Sequence, residues 1–198
     1  MFTDLFVSCR LSRLLYLPAM KQLVSWFFYK VLGWKIEGDF PVNFQKYVVI
    51  VVPHTSWVDF PMGILIRYIT GIESRFVGKE SLFKGPFGWF FNAMGGIPVN
   101  RSNRQNFVDK IVALFDSHEA FVFSMSPEGT RKKVSAWKTG FYYIAKNANV
   151  PIVKVALDYP KKLVRIAAPY KITGQKEHDF KNFTAFFEGT VGKNSKNT

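Results

Sequence analysis

Six apolar residues stand together from Tyr47 to Val52, all but one of them β-branched. The run is too short for a buried helix and reads as a central strand covered on both faces. Ser74–Gly78, Ala120–Met125, Ile152–Leu157 and Leu163–Ala167 read as further strands, the last two flanking a turn at Tyr159-Pro160-Lys161. Between them the period changes. Phe107, Val108, Ile111, Val112, Leu114 and Phe115 recur at helical spacing and predict a helix over Asn106–Ser117, and Thr139–Asn147 predicts another. Pro61 is tolerated only near the first turn of a helix, so one starts close to Trp57–Phe60 and runs to about Tyr68. Residues 9–32 read as helical with a break at Pro18, ended by Gly33; Lys35–Glu37 reads as a short strand and Gly38-Asp39-Phe40-Pro41 as a turn. Ser81–Gly96 is dense in Phe, Gly and Trp and follows neither period. Lys171–Thr198 is polar and basic, and its end is expected to fray. Alternating strands and helices predict an α/β domain over 35–198, with a central mixed, mostly parallel sheet flanked by helices.

Charge and aromatic content change the reading of residues 1–34. Lys and Arg total 27 against 14 Asp and Glu, a net charge of +13, and 21 Phe and 5 Trp bring aromatics to 17 %. The charge suits nucleic acid, an anionic membrane or phosphorylated small molecules. Arg10, Arg13, Lys21 and Lys30 interrupt the apolar stretch Leu5–Trp34, so it lacks the ~20 uninterrupted residues of a spanning helix. Basic residues among Leu, Trp, Phe and Tyr predict an amphipathic helical segment lying in a membrane interface. The single cysteine, Cys9, excludes an intramolecular disulfide and a cysteine-rich metal site.

Three loops carry candidate chemistry. His54 and Asp59 follow the Tyr47–Val52 strand, where a carboxylate can orient an imidazole to accept a proton. Taken alone, the same residues better suit a helix start, with Ser56 as cap, Asp59 three residues on, and His54 an ordinary loop residue. Pro127-Glu128-Gly129-Thr130-Arg131 follows the Ala120–Met125 strand, at the edge where open α/β sheets bind ligands. Gly129 permits close backbone approach, and Arg131 offers a fork for phosphate. Gly95-Gly96-Ile97-Pro98-Val99-Asn100-Arg101 adds a second arginine, while Lys79 and Lys84 flank the aromatic stretch. His118 and His178 lie apart from His54, so no metal site is expected.

Taken in order, four blocks resemble the glycerolphosphate and lysophospholipid acyltransferase family. His54 to Asp59 matches its H-x-x-x-x-D block, Gly96 to Arg101 resembles its G-x-x-x-x-R block, Pro127 to Arg131 matches P-E-G-T-R, and Val150-Pro151-Ile152-Val153 resembles its late Pro-plus-apolar block. The resemblance spans roughly residues 35–170. Pro53, Ser126 and Asn100 stand where the family commonly has Asn, Phe and an acidic residue.

The resemblance implies acyl transfer from acyl-coenzyme A or an acyl-carrier protein to a lysophospholipid hydroxyl, with 1-acylglycerol-3-phosphate as the expected acceptor. It implies His54 and Asp59 as catalytic residues acting without an acyl-enzyme. Lys79, Gly96, Arg101, Glu128, Gly129, Thr130 and Arg131 are then the substrate-binding residues. No metal or cofactor is expected, only the acyl thioester as co-substrate. The expected setting is an anionic membrane surface on the cytoplasmic face, without nucleic acid. A lyso amino-acid lipid or another lysolipid is the alternative acceptor; a basic, non-catalytic membrane- or nucleic-acid-binding module is the alternative of another kind.

Overall fold

A computed structural model describes residues 18–99 and 104–198; the first half of the N-terminal segment, Cys9 and Arg101 lie outside them. Among the described residues, seven strands form one sheet: β1 (Lys35–Glu37), β2 (Lys46–Val52), β3 (Ser74–Lys79), β4 (Gly96–Val99), β5 (Phe121–Met125), β6 (Ile152–Asp158) and β7 (Leu163–Ile166). Their order is β1-β7-β6-β2-β5-β3-β4. Every neighbouring pair is parallel except β6 and β7, which the Tyr159-Pro160-Lys161 turn joins as a hairpin. The sheet is therefore mixed and mostly parallel, as the alternating pattern predicts.

The apolar run of β2 feeds both layers because alternate side chains of a strand point to opposite faces. Val48, Ile50 and Val52 enter one cluster with Ile111, Phe115, Phe141, Tyr142, Ile144 and Phe183. Tyr47 and Val49 enter the other with Phe28, Trp34, Met62 and Ile66. The first face is covered by α5 (Arg104–Ser117), α6 (Gly140–Asn147) and α7 (Lys176–Phe187). The second is covered by the π-helical turn Phe27–Val31, which buries Phe28, and by α2 (Asp59–Thr70); the helix α1 (Pro18–Trp26) that leads into the π-turn buries no residue of its own. Pro61 sits in the first turn of α2, as its missing N–H requires. The expected break at Pro18 falls at the edge of the described residues, where α1 begins.

Ser81–Gly96 folds as two short helices, α3 (Glu80–Lys84) and α4 (Gly88–Ala93), before β4 begins. Its composition follows from one ring. A β-carbon at Gly96 would stand 2.6 Å from Phe83 Cε1, and one at Gly78 2.8 Å from Phe83 Cε2, so Phe83 fits only between glycines. Phe60, Phe76 and Phe91 complete an aromatic layer around it.

Within the polar, basic stretch Lys171–Thr198, a helix that the sequence pattern did not predict packs on the core. Residues 176–187 form α7, with Phe183 and Phe187 buried in the core and Asp179 fully buried. Asp179 accepts hydrogen bonds from Tyr142, Tyr170 and both the amide and hydroxyl of Thr173. Phe180, Phe183 and Phe187 keep helical spacing, but the lysines among them lower the mean hydropathy of the segment. Beyond α7, the Val191 carbonyl accepts the Tyr159 amide at 2.9 Å, and the Asn194 amide donates to Thr55 Oγ1 at 3.1 Å.

The connection leaving β2 runs through α2 on one face, while the connection leaving β5, its parallel neighbour, runs through α6 on the other. Diverging loops leave a crevice at the carboxyl ends of β2 and β5, the usual ligand position in open α/β sheets.

Candidate active site

His54 enters this crevice from the end of β2. Its Nδ1 lies 3.1 Å from Asp59 Oδ2; the imidazole side chain is 32 % exposed and the carboxylate 3 %. Asp59 Oδ2 also accepts the amides of Thr55 and Ser56, each at 2.9 Å, and Ser56 Oγ accepts the Val58 amide at 3.3 Å. Only the carboxylate half of a capping box is present, since Ser56 Oγ takes the Val58 amide and not that of Asp59, and α2 has no side-chain cap. The Asp59 carboxylate holds the turn and the ring together. With Nδ1–H donated to Asp59, the lone pair resides on Nε2, which can accept a proton.

Burial pushes the Asp59 carboxyl up, but hydrogen bonds from His54, Tyr159 and the Ser56 amide outweigh it and hold the group below its ordinary value. It is therefore an anion at neutral pH.

Glu128, after β5, closes the crevice from the other side. Its Oε2 accepts the His54 amide at 2.6 Å and the Ser126 hydroxyl at 3.1 Å. The P-E-G-T-R loop is thereby fastened to the histidine loop across 74 residues of sequence. Burial raises the Glu128 carboxyl above its ordinary value despite the His54 and Ser126 bonds that oppose the shift. Gly129 adopts a left-handed backbone (φ 63°). Thr130 Oγ1 accepts the Lys132 amide, and Arg131 is exposed. Lys138 was not singled out in the sequence, since it stands in a basic stretch with no motif of its own. It packs against Gly129, where a β-carbon would lie 2.5 Å from Lys138 Nζ, and its amide donates to the Pro127 carbonyl.

Lys79 ends β3 at the same carboxyl edge and is exposed. Gly96 begins β4 at the opposite end of that strand, and what approaches it is the Phe83 ring. The structure therefore brings His54, Asp59, Glu128, Gly129, Thr130, Arg131 and Lys79 to one edge and gives Gly96 a packing position. Among the described residues, no group of three or more His, Cys, Asp or Glu is placed to hold a metal ion.

Tyr159, immediately after β6, was read only as a turn residue. Its hydroxyl donates to Asp59 Oδ1 at 2.6 Å across 100 residues of sequence, so both carboxylate oxygens of Asp59 are engaged. No spacing rule links the two positions; only the adjacency of β6 and β2 does.

The acyltransferase family model matches residues 34–158, well over half of the chain. The chain belongs to the acyltransferase family. Its match to the 1-acyl-sn-glycerol-3-phosphate acyltransferase of Haemophilus influenzae is 26 % identical over 195 residues, covering 86 % of this chain and 79 % of that protein. The Escherichia coli enzyme of the same description is 27 % identical, covering 64 % of this chain and 54 % of its own. A chloroplastic one from Brassica napus is 31 % identical, covering 55 % of this chain and 32 % of its own. The crystal structure of the Thermotoga maritima 1-acyl-sn-glycerophosphate acyltransferase superposes with a TM-score of 0.58 at 18 % identity, over 85 % of this chain and 77 % of that one. At that identity the superposition speaks for the fold, and the fold is the same. This acyltransferase carries Pro53, Ser126 and Asn100 beside its motif residues; of these, Ser126 now has a defined contact, to Glu128.

Proposed function

We propose that this acyltransferase moves a fatty acyl group from a thioester to the free hydroxyl of 1-acylglycerol-3-phosphate, giving phosphatidate. The observation that carries the reading is the Nδ1–Asp59 contact, which leaves Nε2 of a partly exposed imidazole as a base in the crevice. Nε2 removes the acceptor's proton as its oxygen attacks the thioester carbonyl. Asp59 stabilises the imidazolium that forms. The tetrahedral intermediate collapses with cleavage of the C–S bond, and the thiolate leaves, taking its proton from His54. With a thiol pKa near 8.5, the leaving group needs little acid assistance. Lys79 and Arg131 supply charge for the acceptor's phosphate, with Arg101 as a further cation.

The acceptor is a lipid, and the exposed surface suits a bilayer. Trp57 and Trp89 are 70 % and 67 % exposed, Phe87, Leu82, Leu23 and Trp26 are also exposed, and Lys79 and Lys84 stand beside the α3–α4 aromatics. Such mixtures of indole, phenyl and ammonium groups favour an anionic interface. Among the described residues, no helix is long and apolar enough to cross a membrane. We place the enzyme on the cytoplasmic face, where its thioester donors are made.

The test is thiol release by purified protein on mixed vesicles, with acyl-coenzyme A or acyl-carrier protein as donor. Acceptors are lysophosphatidate, other lysophospholipids and a lyso amino-acid lipid, with products read by mass spectrometry. His54→Gln lowers acceptor-dependent release by at least 10³-fold while the circular dichroism spectrum is retained. Unchanged release by that variant would refute the mechanism, and preference for another lysolipid would refute the acceptor.

A further inference from the structure

We infer that Tyr159 is a positioning residue of the catalytic pair. Its hydroxyl fixes the second oxygen of Asp59, so that the first is held toward the ring of His54. The inference deepens the proposed function and rests on His54 being the base.

A carboxylate bonded through one oxygen alone can swing about its terminal torsion, which is broad and roughly two-fold. Here Oδ2 carries three contacts, from His54 Nδ1 and the amides of Thr55 and Ser56. Oδ1 receives the Tyr159 hydroxyl at 2.6 Å, the short separation of a bond to a charged acceptor. The phenol is itself held. Trp34 meets its ring edge-on at 4.9 Å between centroids, Lys193 Nζ lies 5.8 Å from the ring centroid on the tail side, and the Tyr159 amide donates to Val191. Burial and the bond to Asp59 raise the phenol far above its ordinary value, so it remains a donor throughout the working pH range.

Tyr159→Phe keeps the ring and its contact with Trp34, and removes only the hydroxyl. The expected result is a kcat lower by about tenfold, the loss of one hydrogen bond to a charged group, with KM for both substrates within twofold. The His54 Nδ1–H resonance of the substrate-free protein shifts in NMR spectra. A purely structural tyrosine would lower the melting temperature but leave the resonance in place, which would overturn the inference. So would a variant with wild-type kcat. The NMR arm needs no substrate: if His54→Gln proves active, the proposed function fails, while a shifted resonance still reports the Tyr159–Asp59–His54 connection.

Discussion

Glu128 offers the most direct test of how the two loops are joined. Its Oε2 is 2.6 Å from the His54 amide, in a side chain that is only 8 % exposed as a residue. Truncation to Ala removes a bond to a charged acceptor, of order 1.5–3 kcal/mol, and leaves a part-buried N–H without that acceptor. We expect a stability loss of about 2 kcal/mol in urea unfolding. Freed of its anchor, His54 can shift by about an ångström, for which a rate loss of about 100-fold is expected. Glu128→Gln behaves differently. The amide oxygen still accepts from His54, at neutral rather than charge-assisted strength, so kcat/KM falls only about fivefold. Its stability at pH 7 equals or exceeds that of the native protein. Burial raises the folded Glu128 carboxyl above its unfolded value of 4.5, so the proton-linked part of the stability it contributes is complete below that pH and is lost as pH rises through the raised folded value, while the hydrogen bonds to His54 and Ser126 remain. The neutral isostere escapes this loss, and its advantage grows over that same interval. Thiol-release kinetics and urea titrations at pH 4 to 8 decide the matter. Wild-type rates in Glu128→Ala, or a Gln variant less stable than the Ala variant, would refute the reasoning.

Gly192→Val places a β-carbon 2.5 Å from Thr55 Oγ1 and 3.0 Å from Pro53 Cγ; stability should fall by 1–3 kcal/mol on the scale of about that much for overpacking, and kcat at least tenfold, as read by urea unfolding and thiol release. Asp179→Ala should destabilise the fold by about 3 kcal/mol, since four donated hydrogen bonds lose their acceptor. Burial pushes the Asp179 carboxyl up, but its hydrogen bonds with Thr173, Tyr170 and Tyr142 hold it below 3.8. Its contribution is therefore complete above that pH and lost as pH falls through the depressed folded value, so denaturation of the two proteins converges in acid. Phe87→Ser with Trp89→Ser should weaken sedimentation with anionic vesicles by about tenfold while leaving turnover of a short-chain, water-soluble acceptor intact; undiminished sedimentation would exclude the α3–α4 aromatics as a membrane contact.

The centre of the sheet was legible because β2 and β6 are short apolar runs rich in β-branched residues; the shorter, more polar Lys35–Glu37 and Ser74–Lys79 were legible from their place between turns. His54, Asp59 and the P-E-G-T-R loop were legible because each follows such a strand. Three features were not. The aromatic stretch before β4 obeys the shape of Phe83 rather than a period, and only the fold reveals which glycines make room for it. The core-facing phenylalanines of α7 are diluted by charged neighbours, so mean polarity hides them. Tyr159, Lys138 and the tail reach the His54 and P-E-G-T-R loops through contacts between distant segments. Periodicity describes how a segment faces the core; it carries no information about which other segment lies beside it.

The bond between Thr55 and Asn194 spans 139 residues and therefore has a consequence for biosynthesis. A growing chain exposes the His54 loop early, yet that loop acquires its brace only after the helix Lys176–Phe187 and the residues beyond it have left the ribosome. At about 5–20 residues per second, the interval between the two is on the order of ten seconds. Throughout that time the His54 loop lacks the hydrogen bond from Asn194. Ribosome-stalled chains arrested before and after Asn194 emerges would differ in turnover although both contain the complete motif set.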